Sequence, residues 1–320
     1  MPGPIPMMEL GLAMSGKNLF FIGMIIAASG ILSPPVALIA GIAYGMSVQH
    51  PYHLDAQRLS RLLLQASVVA LGFGIPLAEV MRVGRSGAVY TAGSIAIAIG
   101  LGLGLGYLLQ VKRGSAYLIT IGTAICGGSA IAAVGPITGS SDEDMAVSLG
   151  TVFLLNSAAL LAFPLVGHAA GLSQEQFGLW AALAIHDTSS VVGAAAKYGA
   201  IALVIGTTVK LARALWIVPV SVATAVITKR RTQIRWPWFI ALFCLAALAN
   251  TCFPQFHGEF DVLNRLGRTG LTVTLFLIGT GITRNTIREV GWRPFVQGLL
   301  LWLIVAAGSL TLIRSGWVHL

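Results

Sequence analysis

Apolar and polar positions alternate along this chain in long blocks. Eleven apolar stretches, roughly 18–32, 36–48, 59–78, 89–109, 115–134, 146–166, 177–196, 201–227, 238–253, 266–282 and 295–313, are separated by short polar connections. Runs of this length suit helices that cross about 30 Å of hydrocarbon at about 1.5 Å per residue. The pattern predicts an all-α polytopic membrane protein of about 10–11 transmembrane helices. Pro34-Pro35 ends the first stretch and opens the second. Gly72-Phe73-Gly74 with Pro76 predicts an irregular end to the third, and the glycines at 100, 102, 104 and 106 predict a close-packing face in the fourth.

Three stretches carry polar residues where lipid-facing helices would not. The run Gly122-Thr123-Ala124-Ile125-Cys126-Gly127-Gly128-Ser129 is rich in glycine and small polar residues, and His186-Asp187-Thr188-Ser189-Ser190 is polar throughout. Backbone can unwind at membrane depth only where protein or a water-filled cavity satisfies it, so both runs predict broken helices near mid-membrane. The next stretch carries Lys210 and Arg213, three residues apart and therefore on one helical face. A charge at mid-bilayer costs about 2.5–3.5 kcal/mol, so these residues are expected to face a partner or a cavity.

Composition agrees with the block pattern: 56% of residues are hydrophobic, 10% are charged, and the mean hydropathy is +0.84. The net charge of +9 is spread over many short connections without a dense basic patch, which argues against a nucleic-acid partner. Cys126, Cys244 and Cys252 have no paired spacing, so neither a metal nor a disulfide framework is expected, and no cofactor. The first apolar run has no evident cleavage site after it and is expected to remain as an anchor. With a cytoplasmic N-terminus, Lys and Arg residues in the connections divide 12 inside to 6 outside, favouring a periplasmic C-terminus. The acidic turn at 142–144 reads as a solvated cap that suits the following helix dipole.

The chain also echoes itself. Pro35, Arg61-Leu62, Gly72-Phe73-Gly74 and Val83-Gly84 return as Pro237, Arg265-Leu266, Gly279-Thr280-Gly281 and Val290-Gly291, an offset of seven stretches. Matching 121–125 to 278–282 instead gives an offset of five, with the fifth and tenth spans broken and crossing. Either odd offset implies inverted repeats, a signature of secondary transporters. The division expected is an N-terminal segment and first span at 1–33, a first repeat at 34–167 and a second at 168–320.

Gly122–Ala133 (GTAICGGSAIAA), Ala184–Ala196 (AIHDTSSVVGAAA), Val209–Trp216 (VKLARALW) and the Trp-Pro-Trp-Phe at 236–239 resemble the YeiH-like family of bacterial inner-membrane proteins, which is named for sulfate export. The resemblance covers nearly the whole chain. It implies two inverted five-helix repeats and export of a small inorganic oxyanion, sulfate or sulfite, across the inner membrane. One departure is Asp187, where the family pattern leads one to expect glutamate.

Two cations against one carboxylate leave a surplus positive charge that an anion would balance. The expected anion site comprises Lys210 and Arg213 with the broken-helix residues Cys126, Gly127, Gly128, Ser129, Thr188, Ser189 and Ser190, whose N–H groups add donors. His186 and Asp187 are the candidate coupling pair. The alternatives are a purely structural ion network, a sodium- or proton-coupled transporter of a small organic anion, and a cation/proton antiporter centred on Asp187. A hydrolase using Ser189 or Ser190 with His186 and Asp187 is not expected, because adjacent residues rarely reach triad geometry. The partners called for are a small anion, the lipid bilayer, a coupling proton or sodium ion and, in one version, a second copy of the chain in a homodimer.

Overall fold

The computed structural model describes residues 7–48, 52–229, 238–284, 288 and 290–317; Trp236, Pro237 and most of the basic run at 229–235 lie outside these. Within them the chain is built of α-helices: α1 (Met7–Ala28), α2 (Pro34–Ser47), α3 (His53–Gly72), α4 (Leu77–Leu108), α5 (Arg113–Ala124), α6 (Gly128–Thr138), α7 (Asp142–Ala169), α8 (Gln174–Ala184), α9 (Thr188–Tyr198), α10 (Ala200–Ala214), α11 (Ile217–Thr228), α12 (Trp238–Cys252), α13 (His257–Thr280) and α14 (Trp292–Arg314). Four segments, Tyr90–Leu108, Glu143–Ala169, Ala200–Thr228 and Trp292–Arg314, are individually long and apolar enough to cross a membrane. Large apolar side chains such as Ile25, Ile97, Leu165 and Val226 are exposed on the outside of the bundle, the surface a lipid solvent requires.

The irregular end expected after the third stretch is a sharp turn: α3 and the start of α4 meet at 110°, and α12 and α13 meet at 101°. Leu77 N–H donates to Thr251 Oγ1 at 2.9 Å, fastening these two turns together. α13 lies between α2 and α3 at distances that only glycine permits. A Cβ on Gly41 would fall 2.2 Å from Phe276 O, and one on Gly279 would fall 2.5 Å from Leu38 O. Backbones this close gain dispersion contact that bulkier residues would forfeit.

Both expected breaks are present, at 125–127 and at 185–187. Each one reverses the chain. At the start of α5, Lys112 Nζ lies 3.4 Å from Ser141 Oγ and 3.3 Å from Asp144 Oδ1, so α6 has returned to the face from which α5 set out. At the opposite face, Tyr198 Oη donates to Leu172 O at 2.7 Å and Ile201 N–H to Gln174 Oε1 at 3.0 Å, so α9 ends beside the start of α8. The fifth and seventh apolar stretches are therefore hairpins, α5–α6 and α8–α9, entering from opposite faces with α7 running between them. α13 runs through Gly279, which packs against α2, and ends at Thr280; residues 281–283 lie outside any helix, next to where the offset-five reading puts a second break.

Local sequence explains where α7 and α8 begin. Ser141 caps α7, accepting from Asp144 N–H at 3.1 Å while Asp144 Oδ2 accepts from Ser141 N–H at 3.2 Å. Ser173 and Gln176 form the same reciprocal pair at α8. Such capping boxes satisfy two orphan donors at once. Asp144 is buried and not a solvated cap: Ser115 Oγ donates to it at 2.8 Å, joining α5 to α7. Its carboxylate, accepting from Lys112, holds that lysine above its usual pKa.

Candidate functional site

The two hairpin tips meet in the interior. Gly127, at φ +69, lies against Asp187: a Cβ added to it would be 3.1 Å from the Asp187 Cβ. Four helix ends thereby converge, the C-termini of α5 and α8 and the N-termini of α6 and α9. Each C-terminus exposes carbonyls equivalent to about half a negative charge, and each N-terminus exposes N–H groups equivalent to about half a positive one.

Lys210 and Arg213 of α10 are fully buried at this point, and both are spent on carbonyls. Lys210 Nζ donates to Ile185 O at 2.6 Å and to Ala182 O at 3.4 Å. Arg213 reaches both hairpins: Nε donates to Ala124 O at 2.8 Å, Nη2 to Thr123 O at 3.4 Å, and Nη1 to Leu183 O and to Ala182 O at 3.3 Å. The planar fork of arginine makes this bridge possible. Among the described residues neither cation forms an ion pair with Asp187.

Asp187 instead caps α9. Its Oδ1 accepts from Ser190 N–H at 2.6 Å and its Oδ2 from Ser189 Oγ at 3.0 Å, the arrangement that favours aspartate at a helix N-terminus. The half-charges of the four helix ends cancel, so Lys210, Arg213 and Asp187 together leave about one positive charge.

Asn156 of α7, which sequence reasoning overlooked, holds the second tip open. Its buried Oδ1 accepts from His186 N–H at 3.1 Å and from Asp187 N–H at 3.4 Å, two backbone donors that the break leaves without helical partners. The signal was available in the sequence: Asn156 is a lone amide inside an apolar stretch. Several polar atoms beside the crossing are buried with no protein partner, namely Asn156 Nδ2, Thr123 Oγ1 and both ring nitrogens of His186. Buried polar groups are rarely left this way, and a cluster of them marks a place for a polar ligand or water.

The remaining candidates divide. Cys126, Gly127, Ser189 and Ser190 are buried at the crossing, Thr188 is half-buried beside it, and Gly128 packs against the Phe153 ring. Ser129, on the first turn of α6, is exposed. The hydrogen bonds from Ala130 and Ile131 N–H to Gly127 O leave Gly128 and Ser129 N–H as the first-turn donors of α6. Cys126, Cys244 and Cys252 are free thiols, and among the described residues no three His, Cys, Asp or Glu side chains gather to hold a metal.

Comparison with known proteins places the same span in one family. The profile of conserved hypothetical protein 698 matches residues 8–298. A UPF0324 membrane protein of Geobacter sulfurreducens is 46% identical, over 95% of this chain and 99% of its own length. Relatives of the same name from Bdellovibrio bacteriovorus (44%, covering 95% of each chain) and Porphyromonas gingivalis (48%, covering 88% and 87%) are similarly close. No solved structure matches the chain significantly.

Proposed function

The chain belongs to the conserved hypothetical protein 698 family of membrane proteins, the YeiH-like family its motifs resemble, and from that premise we propose that it is a secondary transporter of a small inorganic oxyanion such as sulfate or sulfite. One observation carries this reading: two hairpins from opposite faces meet at a buried point with a surplus of about one positive charge and several unpartnered donors. An anion taken from water must exchange its hydration shell for donors and positive potential, and helix N-termini with amide and hydroxyl groups supply both. A site reached from either face by movement of one tip suits alternating access. The direction, export across the inner membrane, follows the family name, and the N-in, C-out orientation follows the charge bias of the connections.

Other readings fit the geometry less well. A cation/proton antiporter would need Asp187 open to its cation, yet both carboxylate oxygens are engaged by α9. A hydrolase would need His186 to receive a serine proton, yet Ser189 Oγ donates to Asp187 and the His186 ring bonds to neither serine. His186, with both ring nitrogens unpartnered next to the donors, is the group best placed to couple a proton to anion movement.

The test is uptake of labelled sulfate, sulfite and small organic anions into proteoliposomes, with and without imposed pH and sodium gradients. Saturable flux of sulfate or sulfite that depends on a pH gradient supports the reading. Flux of organic anions alone, driven by sodium, replaces it with the sodium-coupled one.

A further inference from the structure

Away from the hairpin tips, α7 and α14 diverge to leave a groove of about 670 Å³ open to the outside of the bundle. Leu154, Leu155 and Ala158 of α7 form one wall, and Phe295, Leu299 and Trp302 of α14 form the other. The lining is almost wholly apolar except at one end, where Arg288 and Trp292 stand at the rim. Ten residues of α14 separate Trp292 from Trp302, and at about 1.5 Å per residue the groove runs about 15 Å along the helix. That is the depth of one leaflet of a bilayer with about 30 Å of hydrocarbon.

We propose that this groove is a binding site for an anionic phospholipid, with an acyl chain along α7 and α14 and the headgroup phosphate at Arg288. The chemistry of the two ends selects this occupant. A free oxyanion gains nothing from a wall of leucine and aromatic carbon, whereas an acyl chain fills it at no cost in buried polar groups. The rim is cationic: Arg284, Arg288 and Arg293 are all exposed, and the Arg293 guanidinium lies 5.5 Å from the centre of the Trp292 ring. Tryptophan and arginine together at the end of a membrane helix are placed for the headgroup level, and clustered arginines favour anionic headgroups there. The groove wall on α7 is continuous with Asn156, so a bound chain would brace the helix that holds the second hairpin tip.

The test uses the full chain, delipidated in detergent and titrated with phosphatidylglycerol or phosphatidylcholine of equal chain length, with retained lipid counted by native mass spectrometry. The wild type should retain phosphatidylglycerol with a preference of about fivefold, the size expected for one arginine near a phosphate. Arg288→Gln should remove the preference, and Ala158→Trp should remove retention of both lipids. Leu299→Trp fills the groove from the opposite wall and carries the test if Ala158→Trp does not fold. Equal retention of the two lipids by the wild type, an unchanged preference in Arg288→Gln, or full retention in both tryptophan variants would overturn the proposal. So would a tryptophan variant that splits a dimer while keeping its lipid, since the groove would then receive a second copy of the chain.

Discussion

Gly127 and Asp187 touch across the two hairpin tips: a Cβ on Gly127 would lie 3.1 Å from the Cβ of Asp187, and the glycine holds φ +69. A side chain at position 127 would crowd Asp187 and strain the backbone at this φ. Gly127→Ala should cost about 1–3 kcal/mol in backbone strain and force the tips apart. Gly104→Ala, where an added Cβ meets nothing within 4 Å, provides the control. Thermal melting and anion flux of the two variants in parallel check this, and a Gly127→Ala protein that melts and transports like the control would refute it.

Arg213 ties α5 to α8 by donating to Ala124 O and Leu183 O at once. Arg213→Ala leaves buried carbonyls on both hairpins without donors, at about 1–3 kcal/mol for each unsatisfied group. Arg213→Lys keeps the charge but cannot span both ends, so it should lie between wild type and alanine in melting temperature. Flux per folded molecule should fall to background for alanine. If alanine and lysine variants melt together within error of the wild type, the bridge does not hold the tips.

Lys112 and Asp144 make a contrasting pair at the mouth of the first hairpin. Lys112 is exposed and Asp144 is buried, so the contact should be weak and sensitive to salt. Because Asp144 raises the Lys112 pKa above its ordinary 10.5, the stabilisation is complete below that value and fades as pH rises through the higher folded one. Lys112→Gln should therefore melt slightly below wild type near neutral pH and converge with it in alkali. A gap that widens in alkali would contradict the sign.

Much of this was legible in the sequence because lipid imposes simple rules. Long apolar blocks gave the helices, and two polar runs inside such blocks gave the breaks at 125–127 and 185–187. Reversal at the breaks was not legible, since block length cannot distinguish a span of 20 residues from two arms of 11 or 12 that fold back. The carbonyl partners of Lys210 and Arg213 were not legible for a related reason. A search for opposite charges finds Asp187, but a reversed hairpin offers carbonyls, which every residue carries and no sequence advertises. Asn156 could have been found as an isolated amide in an apolar run.

Asn156 separates two roles that one side chain plays. Asn156→Asp keeps an oxygen to accept from His186 and Asp187 N–H while replacing the unpartnered Nδ2 donor with a further acceptor and a negative charge. It should fold and lose anion affinity by at least about tenfold, the equivalent of about 1.4 kcal/mol. Asn156→Leu should lose the fastening of the tip as well, seen as faster proteolysis or hydrogen exchange at 185–187. Unchanged affinity in Asn156→Asp would show that Nδ2 faces no ligand.

Under the proposed anion reading, Asp187 should set how strongly the site holds its cargo. Asparagine caps helices about as well as aspartate, so Asp187→Asn should preserve the α9 N-terminus while raising the local surplus from about one positive charge to about two. Binding should tighten and release should slow, giving a lower Kd with a lower rate of exchange. His186→Gln leaves the charge balance alone and removes a titratable ring, so it should flatten the pH dependence of transport across about pH 5.5–8, the range around an ordinary histidine, without abolishing binding. The two variants therefore fail in different observables. If Asp187→Asn binds more weakly than wild type, the carboxylate holds the cargo or its coupling cation directly and the anion reading falls. If His186→Gln keeps the wild-type pH profile, the coupling proton or sodium ion is carried elsewhere.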